Sequence, residues 1–202
     1  MVKVSLVKPG ARREALLQAA AEVFFEQGYA ATSIDAIIER AGGSKRNIYN
    51  AFGNKEGLFA AIVYENASKL LSTLDVGLIE GHDLEEMLTT FGKRLLDLYT
   101  SPNLMGLYRI VVCEAHRFPG LVKVFHDQGP GRATLRLAEV LEAAKERGEI
   151  HTQDCLQVSR HFVGMIRDNL LQALVGVHPD PKQTVASAVE LVLNGIRIRR
   201  ES

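Results

Sequence analysis

Residues 32–55 read TSIDAIIERAGGSKRNIYNAFGNK, and this stretch leaves the backbone few alternatives. Thr32 and Ser33 are good N-cap residues, and Ile34, Ile37 and Ile38 then fall on one face at helical spacing. Gly42 and Gly43 stop that helix and let the chain turn without a Cβ penalty. Ser44 caps a second helix that opens with Lys45, Arg46 and Asn47. Ile48 and Phe52, four apart, can face back onto the first helix, which leaves Lys45, Arg46, Asn47, Tyr49 and Asn50 on the other side. A short helix with Arg and Asn in its first turn fits a major groove, where both side chains match base edges bidentately. From Arg40 to Lys55 the chain carries Arg40, Lys45, Arg46 and Lys55 and no acid, a balance suited to a phosphate backbone.

Capped amphipathic helices about a glycine turn also occur in α-hairpins that never meet DNA, so the longer run decides. AEVFFEQGYAATSIDAIIERAGGSKRNIYNAFGNKEGLF resembles the N-terminal DNA-binding domain of the TetR family of bacterial transcription regulators. The matching features are Phe24 to Tyr29, Ala31-Thr32-Ser33-Ile34, Ala41-Gly42, Ser44-Lys45, Tyr49, Phe52-Gly53, Lys55-Glu56 and Leu58-Phe59. The resemblance implies an all-α chain: a three-helix helix-turn-helix domain over residues 1–57, then a larger helical effector-binding and dimerisation domain over 58–202. It implies DNA contact through Thr32, Ser33, Ser44, Lys45, Arg46, Asn47, Tyr49, Asn50 and Lys55. It also implies a homodimer on a double-stranded, palindromic operator and a small-molecule effector, most simply in a repressor. A helical DNA-associated or protein-interaction scaffold without an inducer is the alternative. The sequence departs from the family pattern at Gly43, where an apolar residue usually packs, and at Asn50-Ala51, which replaces an aromatic or histidine pair. Gly43→Val is therefore expected to stabilise the head if the Gly43 backbone is not left-handed.

The formal net charge is zero, so the molecule is no general polyanion binder and any DNA contact is local. Residues 1–57 carry eight Lys/Arg against six Asp/Glu. No run approaches the length of a membrane span, and the N-terminus lacks a secretory pattern, so a cytoplasmic protein without a membrane partner is expected. Cys113 and Cys155 form no metal-ligand pattern and read as reduced core residues.

Along the chain, residues 1–10 read as an arm with Lys3 and Lys8, ended by Pro9-Gly10. Helix 1 follows from about Ala11 to Gln27 and stops at Gly28; Tyr29 either meets a phosphate or caps the core. Asn54 caps a long fourth helix through Leu58, Ile62 and Val63 towards Leu74, expected to link the two domains mechanically. Lys55 in its first turn is electrostatically misplaced unless an anion is near, which the resemblance supplies as a DNA phosphate. Asp83 and Ser101-Pro102 start further helices, and Gly129-Pro130-Gly131 breaks another. Two long helices close the chain, roughly Thr152 to Gly176 and then a stripe of Val185, Val189, Val192 and Ile196, ending in Arg197, Arg199 and Arg200. The resemblance assigns this pair to the dimer, with Phe162, Val185, Val189, Val192 and Ile196 at the interface.

No catalytic constellation is present: no phosphate loop, no HExxH, no zinc spacing, no GxSxG. The chain is expected to be no enzyme and to need no cofactor or metal. Candidate effector-lining residues are Phe91, Tyr99, Tyr108, Cys113, Met165 and Asn169. Asn169 stands out because a buried amide must be hydrogen-bonded.

Overall fold

The computed structural model describes residues 9–80, 83–177 and 180–196, with side chains at 9, 11 and 69–80 excluded. Lys3, Lys8, His178, Pro179, Arg197, Arg199 and Arg200 lie outside the described residues, and so do the side chains of Leu70 and Leu74. The described residues form ten helices and no strand: α1 (Pro9–Gln27), α2 (Ile34–Ala41), α3 (Lys45–Phe52), α4 (Lys55–Glu80), α5 (Leu84–Tyr99), α6 (Pro102–Glu114), α7 (Pro119–Gln128), α8 (Pro130–Glu146), α9 (Cys155–Leu174) and α10 (Pro181–Ile196).

The caps explain most boundaries. Ser33 Oγ accepts from the Ala36 N–H at 3.1 Å, Ser44 Oγ from Asn47 at 3.3 Å, Asn54 Oδ1 from Gly57 at 2.7 Å and Asp154 Oδ1 from Gln157 at 2.8 Å. Pro9 opens α1 instead of ending an arm, since proline fits a first helical turn where its missing N–H would have no partner. Asp83 precedes α5 but makes no side-chain cap bond. The α6 helix ends at Glu114, short of Pro119-Gly120, and those two residues begin α7. Gly129 then separates α7 from α8.

Two compact units emerge. The described residues to Tyr64 form the first together with Gly106–Phe125; Glu65–Met105 and the described residues from His126 onward form the second. The head foreseen over 1–57 thus sits in a unit that takes in the start of α4 and most of α6 and α7. Aromatic packing accounts for this: the Tyr29 ring, 4% exposed, meets Phe24 at 5.3 Å, Phe59 at 5.9 Å and Phe118 of the α6–α7 turn at 5.2 Å. Ile37 and Ile48 bury the inner faces of α2 and α3 alongside Leu58. Each such side chain is worth roughly 1.5–3 kcal/mol of hydrophobic stabilisation.

The second unit packs α5, α9 and α10 together, with α8 on α9. Phe91 stacks on Phe162 with ring centroids 6.3 Å apart. Gly92 permits this closeness: a Cβ there would lie 2.9 Å from Val185 Cγ1 and 3.2 Å from Phe162 Cζ.

Candidate nucleic-acid interface

The α2–α3 turn needs both glycines. Gly42 has φ 72° and Gly43 φ 109°, and the Gly42 N–H closes α2 on Ile38 O at 2.7 Å. The condition for a stabilising Gly43→Val is therefore not met. Space is no obstacle, as a Cβ at Gly43 meets nothing within 4 Å; the backbone angle is.

This turn presents the N-terminal half of α3. Ser44, Lys45, Arg46, Asn47, Tyr49 and Asn50 are all exposed, while Ile48 between them is 2% exposed and anchors the helix. Tyr49, at 47% exposure, is a large ring left in solvent. Ser33 is exposed as well. Thr32 is not: at 3% exposure its hydroxyl donates to Gly28 O at 2.8 Å, so its side chain locks the α1–α2 turn rather than facing a ligand.

The four cations of the 40–55 stretch are not equivalent. Arg40 grips Glu26 with two bonds of 2.6 Å, and that carboxylate raises the guanidinium pKa while its own falls. Lys45 pairs with Asp35 at 2.7 Å, which raises its pKa through the hydrogen bond and the charge. Lys55 turns inward. Its ammonium donates to Tyr29 O at 2.7 Å, Thr32 O at 2.9 Å and Ala30 O at 3.3 Å, and lies 4.5 Å from the centroid of the Tyr29 ring. Burial lowers its pKa, and the nearby Glu114 carboxylate offsets part of that. Glu114 also accepts from the Ala30 N–H at 3.2 Å.

The misplaced charge at the start of α4 thus has an intramolecular explanation. Three carbonyls of the α1–α2 turn supply the negative end that a DNA phosphate was expected to provide, and all three ammonium protons are used. Tyr29 likewise belongs to the core rather than to a phosphate. Burial, reinforced by Glu56 and Glu114, pushes its phenol up to about 12. Arg46 alone of the four has neither a hydrogen-bond nor an ion-pair partner among the described residues.

The acids were hidden from a reading of the 40–55 run because they lie outside it. Asp35 sits across the glycine turn, ten positions before Lys45, and Glu26 and Glu114 reach in from α1 and α6. Only folding brings them in.

The candidate effector residues divide between the units. Phe91, Tyr99 and Asn169 are buried in the second unit, with Met165 half-buried there. Asn169 Nδ2 donates to Ile166 O at 2.9 Å, so its amide satisfies itself on its own helix. Tyr99 is 3% exposed and its hydroxyl has no hydrogen-bond partner among the described residues, with burial pushing its pKa far above the ordinary phenol value. Tyr108, half-buried against Phe125 at 5.9 Å, and Cys113 belong to the first unit. Cys113 is exposed, so it is not the core residue expected; Cys155 is buried, and its thiol is raised to about 11 by burial and then by Glu142.

The interface residues foreseen on α9 and α10 are placed differently. Phe162, Val185, Val189, Val192 and Ile196 are 0%, 1%, 4%, 6% and 5% exposed within the single chain. The apolar stripe of α10 packs on α5 and α9 of its own chain. The apolar side chains left in solvent are Leu171 on α9 at 52%, Val175 just after it at 76%, and Leu191 on α10 at 66%.

Comparison with known proteins bears on this geometry. Residues 16–62 match the family model of bacterial regulatory proteins of the tetR family, and residues 86–195 match that of the C-terminal domain of AefR-like transcriptional repressors. The chain belongs to the TetR family. Among curated TetR-type relatives, the transcriptional activator FasR of Mycolicibacterium smegmatis is 43% identical over 61 residues, covering 30% of this chain and 28% of FasR. The transcriptional repressor AcnR of Corynebacterium efficiens is 35% identical over 74 residues, covering 36% of this chain and 39% of AcnR. The chain thus matches well under half the length of these two relatives. A solved TetR-family structure from Mesorhizobium loti MAFF303099 superposes with a TM-score of 0.77 at 25% identity, covering 95% of this chain and all of that one. The all-α helix-turn-helix fold follows from this membership, and the family is one of bacterial transcriptional regulators. Among the described residues no helix is long and apolar enough to cross a membrane.

Proposed function

We propose that this TetR-family chain is a cytoplasmic repressor that binds a two-fold operator as a homodimer and releases it when a small effector occupies the second unit. The carrying observation is the start of α3. Arg46 is unpaired and exposed beside Asn47, on a helix fixed by the Ser44 cap and by buried Ile48. In this reading Arg46 and Asn47 read bases, while Ser33, Ser44, Lys45, Tyr49 and Asn50 hold the backbone. Lys55 and Thr32 act from behind, by fixing the α1–α2 turn. The dimer face is moved to the outward side of α9 and α10, around Leu171, Val175 and Leu191, whose exposed apolar surface gives a reason for pairing.

For the effector, the support is Tyr99. A buried hydroxyl without a partner is costly, and a ligand acceptor would satisfy it. Converting a population from 99:1 to 1:99 requires about 5.5 kcal/mol of differential binding between two states. The test is selection of genomic fragments by the purified protein, followed by footprinting with and without metabolite pools. A protected pair of half-sites lost on adding one pool is the expected result. Absence of any selected site would defeat the reading.

A further inference from the structure

Two buried side-chain atoms among the described residues lack a hydrogen-bond partner: the Tyr99 hydroxyl and Asn103 Oδ1. Buried polar groups are nearly always paired, so two exceptions at one turn call for a cause. Tyr99 is the last residue of α5 and Asn103 the second of α6, both within the second unit. Four residues of chain reach at most about 14 Å, so one small molecule can touch both groups.

The turn between them is otherwise self-sufficient. Thr100 Oγ1 donates to Leu96 O at 2.9 Å. Ser101 Oγ donates to Leu98 O at 2.7 Å and accepts from the Leu104 N–H at 3.3 Å. Asn103 spends its Nδ2 on Asn66 Oδ1 of α4, at 3.5 Å, and keeps its carbonyl oxygen. The neighbouring Leu95, Leu96 and Leu104 are buried and apolar.

The two unmatched groups have opposite needs. The phenol has a proton to give, whereas the amide oxygen can only accept. A carboxylate would accept from the phenol but set its charge against the Asn103 lone pairs. An ammonium would serve the Asn103 oxygen and leave the phenol proton unmatched. Arg167, whose charge acts on the Tyr99 phenol, also opposes a second cation there. A neutral group that both accepts and donates meets both needs. Water has the same two capabilities but no apolar body to bury against the leucines.

We infer that the effector of the second unit is an uncharged molecule with an apolar body and a hydroxyl or amide head, which accepts from Tyr99 and donates to Asn103 Oδ1. This rests on the reading of the second unit as the effector-binding part, and it adds the ligand's charge and head group.

The experiment is a ligand-detected NMR titration of the full chain, without DNA, using benzamide, acetophenone, benzoate and toluene. These probes are close in size. Benzamide supplies a donor and an acceptor, acetophenone and benzoate acceptors alone, and toluene neither. Benzamide is expected to bind at one site per chain, with the other three weaker by about fivefold or more, the worth of one hydrogen bond. Tyr99→Phe should weaken benzamide by about as much and hold or raise the thermal midpoint, since it removes an unmatched buried donor. Asn103→Leu should bring benzamide down to the level of acetophenone and leave acetophenone unchanged; a merely structural role would weaken both alike. Acetophenone or benzoate binding as tightly as benzamide would overturn the assignment. So would the absence of benzamide binding, or unchanged benzamide affinity in either variant. A midpoint lowered by Tyr99→Phe would show that water already matches the hydroxyl, and would overturn it too. Operator release is read separately. A metabolite pool that releases DNA equally from the parent chain and from Tyr99→Phe would leave the regulator reading standing and defeat this site. Benzamide binding as described, with no pool releasing DNA, would do the reverse.

Discussion

Lys55 shows how a single side chain can change its meaning between sequence and structure. Its ammonium spans three carbonyls of the α1–α2 turn and lies over the Tyr29 ring. Lys55→Met keeps the aliphatic stem and removes the donors. It is expected to destabilise the protein by ~1–3 kcal/mol, the cost of leaving partly buried acceptors unpaired. Urea unfolding of the full chain checks this, and a midpoint equal to the parent's would reduce Lys55 to a bystander. Gly43 makes the complementary case. Because its φ is 109°, Gly43→Val should lower stability by ~1 kcal/mol or more, and Gly43→Ala should do the same. A thermal midpoint raised by either substitution would contradict the left-handed turn.

At the scale of the helix, α10 separates what periodicity can say from what it cannot. Val185, Val189, Val192 and Ile196 lie on one apolar stripe, as the spacing indicated, but a stripe does not name its partner. Here it packs against α5 and α9 of the same chain, with Gly92 letting the helices close in. Val189→Glu should therefore unfold the second unit, since a carboxylate would enter a site that is 4% exposed. Leu191→Glu, two positions on and on the outward face, should leave helicity and melting intact while converting dimer to monomer. Circular dichroism with sedimentation at micromolar concentration distinguishes the two. A Leu191→Glu protein that still sediments as a full dimer would remove this face from the interface. Capping residues were legible in advance at Ser33, Ser44 and Asn54, because a cap is a local event. Asp83 failed to cap α5, although its sequence context is no poorer.

Taken as a whole, the head was readable because its signals are dense and close in sequence: three caps, three glycines and two apolar faces within 24 residues. The rest was not, since Glu26 and Glu114 act on that stretch from α1 and α6, and Asp35 reaches Lys45 across the glycine turn, contacts that only folding makes. The division of labour in DNA recognition follows from their placement. Arg46→Ala or Asn47→Ala should cost about 1–3 kcal/mol per lost base contact and relax preference at one position of each half-site. Binding to a panel of single-base operator variants measures this, and an unchanged preference in both would move the reading surface off α3.

The pairing of Arg40 with Glu26 and of Lys45 with Asp35 has a thermodynamic consequence in the ionic atmosphere of DNA. A cation that leaves a carboxylate for a phosphate sets small ions free from the duplex, but the abandoned carboxylate takes some back. If all four cations of the stretch neutralised phosphates in two heads, log K would fall with log salt at a slope of about −7. With Lys55 turned inward, Arg40 held by Glu26 and Arg46 on a base, Lys45 is the stretch's phosphate contact in each head and supplies at most about −2. Asp35→Asn and Glu26→Gln release Lys45 and Arg40 from that exchange, so each should steepen the slope while tightening binding to unrelated sequences. These two acids would then serve as counterions built into the chain, restraining the protein's hold on DNA that is not its operator.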